Sequence, residues 1–495
     1  MWMSKPKKEV SLSVYRTLEV KVAKLSTTNK ELRCELRAAK KKIKRIDSSR
    51  VNWRDKAVSR REGQDKLKRQ LKGQNEAHYP KRHQYPTWVI NLVIVLRIYC
   101  NCSYGSLPKI LEVLQKEYLY CASELKVPNK KTMQNWVSKV GYFYIKQIDK
   151  ELVGEELCLI MDESVRLGTE KLFLALVCPY QKWLEGNLRA DQVRVIYVSG
   201  RSSWTGDKIA IELNKVIKEN DLRIKYVLSD EGTNLKRATR LLKLPHIADI
   251  SHLIATCLKK NFQNREDYKA FVKTVGQCST KLSMGVYSFL RPYKQRVKAR
   301  FLNQGKTVNW ATIILEKWSS LDKEAQAKLS ALPDHKAIIE LLGTVLDLAR
   351  QVAKILKNSG LNQQTIQQTM QLVDEVIEDS TADEVVKTFA KHLQSYLVKY
   401  DEFINLEAWK GQTIPVCSDV IERLFGRFKA KVGDNHFVTA STISLELPLM
   451  CLDKEELTKK IKTALETIFM SDLKVWKQKQ STDNQSGKRA KFFKK

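Results

Sequence analysis

Hydrophobic residues between Tyr15 and Ile46 recur in a heptad pattern. One seam position holds Tyr15, Val22, Asn29, Leu36 and Ile43, and the other holds Leu18, Leu25, Leu32, Ala39 and Ile46. This pattern predicts a coiled coil, in which a polar seam residue such as Asn29 commonly sets the register and a dimeric state. The alternative is one long helix lying on the rest of the protein. After Ile46 the seam becomes polar, so residues 47–77 are predicted to form a basic helix or linker that completes a region of residues 1–80.

Residues 81–150 have the pattern of several short helices. These are predicted over Val89 to Cys100, Ser106 to Tyr118 and Lys130 to Tyr142. Because the last one follows a turn at Pro128, the segment is typical of a helix-turn-helix that presents polar side chains to a DNA major groove while Trp136 packs inward. The candidate DNA-binding residues are Lys130, Lys131, Thr132, Gln134 and Asn135. Any small helical subdomain also has an exposed polar face, which is the structural alternative.

From Glu156 the hydrophobic period changes from helical to strand-like. Strands are predicted over Leu157 to Met161, Leu172 to Cys178, Val193 to Ser199, Ile224 to Leu228 and His246 to Ile250. Helices are predicted after the third, fourth and fifth strands, over Asp207 to Glu219, Asn234 to Leu242 and His252 to Asn261. Three early strands followed by strand–helix alternation imply an α/β domain over residues 151–261, with a mixed sheet flanked by helices.

Strand patterns disappear between residues 262 and 410, which are predicted to be all-helical. The helices are predicted over Arg265 to Gln277, Lys281 to Asn303, Trp310 to Trp318, His335 to Asn358, Gln364 to Glu378 and Ala382 to Phe403. Residues 411–435 contain one further strong amphipathic helix, from Ser418 to Lys431. Residues 436–495 are predicted to form a C-terminal helical region and a basic tail.

The chain is strongly basic: 88 Lys and Arg outnumber 55 Asp and Glu, which gives a formal net charge of +33. Such an excess implies a polyanionic partner, with nucleic acid first and an anionic membrane surface second. The longest hydrophobic run, Trp88 to Cys100, is too short to span a bilayer, and the first residues lack the apolar core of a signal peptide. The ten cysteines are scattered, so a disulfide scaffold or zinc finger is not expected.

Two aspartates are placed where they could hold metal ions. Asp162 follows the first predicted strand and Asp230 follows the fourth. If these strands are neighbours, both carboxylates emerge at one edge of the sheet, where their mutual repulsion favours a cation between them. Hard oxygen ligands suit Mg²⁺ or Mn²⁺, and two such ions about 4 Å apart can activate an attacking oxygen and stabilise a leaving one. The alternative is that turns at strand ends favour aspartate in any case.

A third carboxylate is predicted from the helix that begins near Ser418. Asp419 lies in its first turn, where the helix dipole favours a negative charge, and has an ordinary structural explanation. Glu422 lies one turn further, beside the apolar stripe formed by Ile421 and Leu424. Since a carboxylate beside a packed face is costly to desolvate, Glu422 is favoured over Asp419 as the residue with a cation partner.

With these residues the chain resembles the DDE transposase and integrase superfamily, which has an RNase H-like fold. Asp249-Ile250-Ser251-His252 is similar to the DxxH signature of transposases whose core is split by an all-helical insertion, and the long separation of Asp230 from Glu422 fits such an insertion. The Glu422 helix looks most like that of bacterial insertion-sequence transposases. The zinc finger of some eukaryotic relatives is absent from the N-terminal region.

The resemblance implies that Asp162, Asp230 and Glu422 bind two Mg²⁺ or Mn²⁺ ions. Water would cut one strand at each transposon end, and the freed 3′-hydroxyl would attack a second phosphodiester in target DNA. His252 would position DNA or the leaving group, unless it is only a helix-opening histidine bonded to Asp249. The resemblance also implies a homodimer acting on double-stranded DNA without a membrane, in a bacterial cytoplasm and associated with the nucleoid.

The helical insertion of such transposases places a tryptophan against a flipped base, which indicates Trp310 first and Trp318 second. The alternative is that these tryptophans belong to the core. A nearby basic stretch is predicted to contact phosphates or, alternatively, to be a solvated helix face; it comprises Arg291, Lys294, Arg296, Lys298 and Arg300. Two other functions are considered: an RNase H-like nuclease without strand transfer, and a catalytically idle, transposase-derived DNA-binding protein.

Overall fold

The protein was analysed as a computed structural model. The structure describes residues 12–73, 79–117, 126–148, 152–167, 170–180, 188–293, 301, 303–432, 443–480, 489, 492 and 493. The chain forms two compact units, Met1–His78 and Tyr79–Lys495. Within the described part, no helix combines the length and apolar character that a membrane crossing requires.

The first unit is a single helix, α1, over Leu12–Gly73. The sequence of α1 contains no proline and is rich in Lys, Arg, Glu and Leu, which favour helix. It continues without a break past Ile46, where the heptad pattern ends. The described apolar seam residues are exposed, as at Leu25 (69%) and Leu32 (59%). The helix therefore carries an apolar stripe that is not buried within its own unit.

The second unit begins with three helices, α2 (Thr87–Ile98), α3 (Ser106–Glu117) and α4 (Lys130–Lys146). Helix α4 begins where Asn129 accepts a hydrogen bond from the backbone N–H of Thr132 at 2.9 Å, an N-cap. The inward packing of Met133, Trp136 and Val137 is confirmed. At Gly141, a β-carbon would lie 1.8 Å from the carbonyl oxygen of Leu445, so glycine allows α4 to approach the C-terminal segment closely.

The sheet has five strands in the order β3-β2-β1-β4-β5. Their bounds are β1 Glu156–Leu167, β2 Glu170–Pro179, β3 Arg194–Arg201, β4 Arg223–Ser229 and β5 His246–Ala248. Strands β1, β2 and β3 are antiparallel neighbours, whereas β4 is parallel to β1 and β5 is parallel to β4. The predicted α/β domain with a mixed sheet is therefore confirmed.

Helices cover both faces of the sheet. One face is covered by α5 (Gly206–Glu219) and α6 (Thr233–Leu241), and its core includes Leu159, Met161 and Val227. The other face includes Ile160 and Leu228 and is continuous with the main core, to which α7 (Ile250–Phe262) contributes. The alternation along β1 and β4 places odd-numbered residues on the first face and even-numbered residues on the second.

The rest of the second unit is helical where it is described. Its helices are α8 Glu266–Lys281, α9 Gln304–Glu316, α10 Lys323–Leu329, α11 Lys336–Ser359, α12 Gln363–Glu378, α13 Glu384–Ile404, α14 Asp419–Val432, α15 Lys454–Lys459, α16 Ile461–Thr467 and α17 Met470–Gln478. Two short 3₁₀ helices, Ser444–Glu446 and Pro448–Cys451, connect α14 to α15 and pack against α4.

The helix predicted from Lys281 to Asn303 is wrong. Helix α8 ends at Lys281, and Gly285 has a φ of +98°, a left-handed conformation that a helix interior does not contain. A 3₁₀ turn at Ser288–Leu290 follows, and residues 294–300 lie outside the described residues. The apolar residues of this segment have a helical period, but Met284 and Phe289 are exposed instead of forming one buried face.

Candidate active site

Asp162 and Asp230 lie on neighbouring parallel strands. Ile160 of β1 is paired with Leu228 of β4, and each aspartate follows two residues later on its own chain segment. Adjacent strands are about 4.8 Å apart, so this register places the two residues side by side. Both side chains are half-buried. Asp230 directly follows β4, as expected. The expectation that Asp162 follows its strand is wrong, because β1 continues to Leu167 and Asp162 lies inside it, beyond the last residue that pairs with β4.

Asp162 lies on the face of the sheet that belongs to the main core. Asp162 is paired across β2 with Leu174, whose side chain lies in the main core together with Ile160 and Leu228. Paired residues in a sheet point to the same face, so Asp162 points to the face that α7 and α14 cover. Glu163, the next carboxylate in β1, points the other way, where the side chain of Asn234 donates a hydrogen bond to it at 3.2 Å.

Glu422 is brought to this face by α14, which packs against β1. Its Oε1 lies 2.9 Å from Nε2 of His252, in the first turn of α7. These two residues are 170 positions apart in the sequence. The packing stripe of α14, which includes Ile421, Leu424 and Phe425, is fully buried and determines which side of the helix faces the sheet. Glu422 borders this stripe and contacts His252.

The pKa of His252 is raised by the negative charges around it. Burial alone would lower its pKa, but the hydrogen bond that it donates to Glu422 and the charges of Asp249, Glu422 and Asp230 raise the pKa to about 9. The imidazole is therefore protonated at neutral pH and donates to Glu422.

Asp249 joins the two helices that carry His252 and Glu422. It is 1% exposed, and its Oδ1 accepts the backbone N–H of His252 at 3.0 Å as the N-cap of α7. Its Oδ2 accepts both the backbone N–H and, at 2.8 Å, the hydroxyl of Ser418, directly before α14. The sequence analysis named Ser418 only as the start of this helix and missed the connection, although an Asp three residues before a His could have indicated it. Asp249 is thus a positioning residue.

The structure corrects the reason for preferring Glu422 to Asp419. Their side chains are equally exposed, 45% for Glu422 and 44% for Asp419, so the expected burial of Glu422 was wrong. Their partners differ instead. Asp419 is paired with Lys357 of α11 at 3.1 Å, whereas Glu422 is paired with His252 beside the two aspartates. Position, and not burial, distinguishes the two carboxylates.

No protein-family model and no curated protein sequence matches this chain. Among solved structures, a Drosophila P element transposase strand transfer complex is similar to it, with a TM-score of 0.39 and 12% sequence identity. The similarity covers 77% of this chain and 94% of the other chain. A likeness of this degree establishes neither a shared fold nor a shared function, so what the site can do depends on its own geometry.

The donor types at the site suit a hard divalent cation, since they are carboxylate oxygens at an open sheet edge. Among the residues that the structure describes, however, no group of three or more His, Cys, Asp and Glu side chains is already arranged around a common metal position. One oxygen of Glu422 is engaged by His252. A carboxylate has two oxygens and several lone pairs, so this contact is compatible with a second partner.

The predicted DNA-binding residues of α4 lie at its first turn. Lys130 and Lys131 are exposed, and the other three, Thr132, Gln134 and Asn135, are half-buried. Most of the helix beyond them is buried against the C-terminal segments and β3. Burial and the charge of Lys131 lower the pKa of Lys477 in α17. Lys477 therefore adds positive charge near the start of α4. The first turn of α4 is therefore accessible, whereas most of its middle is buried.

The predicted base-stacking tryptophan is buried. Trp310 is 9% exposed, and its indole N–H donates to the carbonyl oxygen of Leu290 at 2.8 Å, which is the packing expected of a core residue. Trp318 is half-buried. Of the predicted basic stretch, Arg291 is exposed and donates to the hydroxyl of Ser279 at 3.0 Å. The other four residues lie outside the described residues: Lys294, Arg296, Lys298 and Arg300.

Proposed function

We propose that the protein is a DNA transposase of the DDE type, which cleaves DNA at transposon ends and joins the freed ends to target DNA. The proposal is supported by the placement of three carboxylates. Asp162 and Asp230 each follow, by two residues, a paired position of the parallel strands β1 and β4, and Glu422, bonded to His252, lies on α14, which packs against β1. The strand order, with three antiparallel strands followed by two parallel ones, agrees with the RNase H-like core that the sequence resemblance implies.

In this proposal Asp162, Asp230 and Glu422 would hold two Mg²⁺ or Mn²⁺ ions, and the bound ions would supply Lewis-acid activation of an attacking oxygen and charge stabilisation of a leaving oxygen. Each chemical step forms one phosphorus–oxygen bond and breaks another, first with water and then with a 3′-hydroxyl. The protonated His252 holds Glu422 in place and supplies a positive charge next to a phosphodiester. Asp249 keeps α7 and α14 at a constant separation through Ser418.

The direct test uses the purified full-length chain and duplex DNA that carries both flanks of its own gene. With Mg²⁺ we expect cleavage at the transposon ends and joined products, and with EDTA neither. Asp162→Asn and Asp230→Asn are expected to lose both activities. Cleavage without joined products would favour an RNase H-like nuclease, and DNA binding without cleavage would indicate an idle DNA-binding protein; either result contradicts the proposal.

We also propose that the exposed seam of α1 pairs with the same seam of a second copy, because two DNA ends must be cut together. Leu25→Asp removes apolar burial from both chains of such a dimer, so we expect at least a hundredfold weaker dimerisation by sedimentation equilibrium. Val20→Asp is the matched control, since Val20 is 57% exposed but lies off the seam. A monomeric parent chain, or equal effects of the two variants, would contradict this pairing.

A further inference from the structure

An open groove of about 620 Å³ lies at the β5 edge of the sheet, beginning at the residue after Asp230. One wall is the polar face of α6, with Lys236, Arg237 and Arg240. His246 of β5 and Lys399 of α13 line the other side. Basic side chains from two distant parts of the chain thus face one space beside the candidate active site.

Lys399 is brought to the groove by contacts between α13 and β5. The hydroxyl of Tyr400 accepts the backbone N–H of Ala248 at 2.9 Å, and the hydroxyl of Tyr396 donates to the carbonyl oxygen of Ala248 at 3.2 Å. Both tyrosines are buried. These two hydrogen bonds engage the backbone N–H and carbonyl of Ala248 in the edge strand β5 and attach α13 to it. The fold itself therefore positions Lys399 beside the groove.

Two of the basic residues already have acidic partners, and two do not. Lys236 is paired with Glu231 at 3.0 Å, and Arg237 is paired with Asp207 at 2.9 Å. Within the described part of the chain, Arg240 and Lys399 make no ion pair with a carboxylate. Both side chains are exposed. The groove therefore carries net positive charge that its own carboxylate does not neutralise.

The positive charge of the groove also affects the pKa of His246. Burial lowers its pKa most, and the charges of Lys236 and Lys399 lower it further. The ring Nε2 lies 2.9 Å from the hydroxyl of Ser229, at the end of β4. The lysines and arginines supply the positive charge of the groove.

We propose that this groove binds the phosphodiester backbone of a nucleic acid strand and leads it to Asp230. The proposal rests on the proposed function for its choice of DNA as the polymer. The groove is open, and the described residues that line it include no Phe, Tyr or Trp against which a base could stack. A backbone contact, which needs only charge and hydrogen-bond donors, fits this lining better than a bound nucleotide does.

The test measures binding of a fluorescent 30-base-pair duplex to the full chain in EDTA, over a range of NaCl concentrations. Each phosphate contact contributes about 0.9 to the slope of log affinity against log salt. The double variant Arg240→Ala/Lys399→Ala is therefore expected to lower the slope by about two and to weaken binding by about 30-fold near 0.15 M salt. The matched control is Lys323→Ala/Lys336→Ala, two exposed lysines on α10 and α11, with less than about a twofold change.

Unchanged affinity and slope in the Arg240/Lys399 variant would overturn the proposal. So would saturable binding of inorganic phosphate that this variant loses while its DNA affinity is unchanged, because the groove would then be a site for a free anion. The measurement needs no cleavage. A chain that binds DNA through the groove but never cuts it would contradict the proposed function and leave the groove assignment intact.

Discussion

Glu422→Gln is expected to slow DNA cleavage by about a thousandfold. Glutamine keeps an oxygen that can accept the hydrogen bond from His252, but it removes the negative charge that binds a metal ion. Loss of one ligand is expected to cost about 4 kcal/mol of transition-state stabilisation, which corresponds to this factor in rate. Because the side chain is 45% exposed, the thermal unfolding temperature is expected to change little.

Asp419→Asn is the matched control for this experiment. It removes one carboxylate charge from the same helix, at a side chain that is 44% exposed and paired with Lys357. We expect a rate within about threefold of the parent, because exposed ion pairs contribute about 1 kcal/mol or less. Equal losses in the two variants, or a loss only in Asp419→Asn, would contradict the assignment of Glu422. Single-turnover cleavage at saturating Mg²⁺ measures the difference.

Glu446→Gln is expected to lower the free energy of unfolding by about 3–5 kcal/mol, the cost of leaving a buried charge without its partner. Glu446 is 1% exposed and lies 2.9 Å from Nε of Arg97, itself 4% exposed. Tyr104 donates to the same carboxylate oxygen at 3.0 Å. Lys431 lies 3.9 Å from the other oxygen, and its burial lowers its pKa to about 8.

This cluster connects parts of the second unit that are remote in sequence. Lys431, in the last turn of α14, also donates to the carbonyl oxygens of Arg97 and Ile98 in α2, at 3.0 and 3.1 Å. The helix that carries Glu422 is therefore anchored at its C-terminal end by α2 and by the 3₁₀ segment that contains Glu446. We expect Glu446→Gln to weaken the attachment of α14, the helix that carries Glu422, as well as to destabilise the second unit.

Urea denaturation of the full chain, followed by tryptophan fluorescence, measures the change. The matched control is Glu324→Gln, the same substitution in an exposed pair with Lys328 of α10 at 2.8 Å. Such a pair contributes about 0.5 kcal/mol or less. If the two variants have the same unfolding free energy, the buried cluster does not stabilise the protein in the way proposed.

The local elements were largely predictable from the sequence. The apolar run from Leu157 to Met161 lies in β1, and the amphipathic pattern from Ser418 to Lys431 forms α14 within one residue at each end. These patterns are predictive because burial of one face selects a period of two in strands and 3.6 in helices. The same argument failed between Lys281 and Asn303, where the described apolar residues are not buried as one face: Leu282 is buried, but Met284 and Phe289 are exposed.

The sequence predicted which acidic residues form the candidate site, but not the contacts that they make. The strand ends indicated Asp162 and Asp230, because parallel neighbours bring their carboxyl ends to one edge. Glu422 was selected for the wrong reason, since it is as exposed as Asp419. The structure supplies the reason that distinguishes it, which is the contact with His252. No local pattern contains that contact, because it forms between two helices that are far apart in the chain.

By itself the sequence determined the helix over the heptad region, the five strands of the described sheet, most of the helices, and the placement of Asp230 at the end of a strand. Each follows from residues a few positions apart, through backbone hydrogen bonds and the burial of one face. Only the tertiary structure decided that Glu422 meets His252, that Arg97 meets Glu446 349 positions away, and that Lys399 faces Arg240 across a groove. Those contacts depend on how whole faces of helices and strands pack against one another. The separation of two residues in the sequence does not indicate whether packing will bring them into contact.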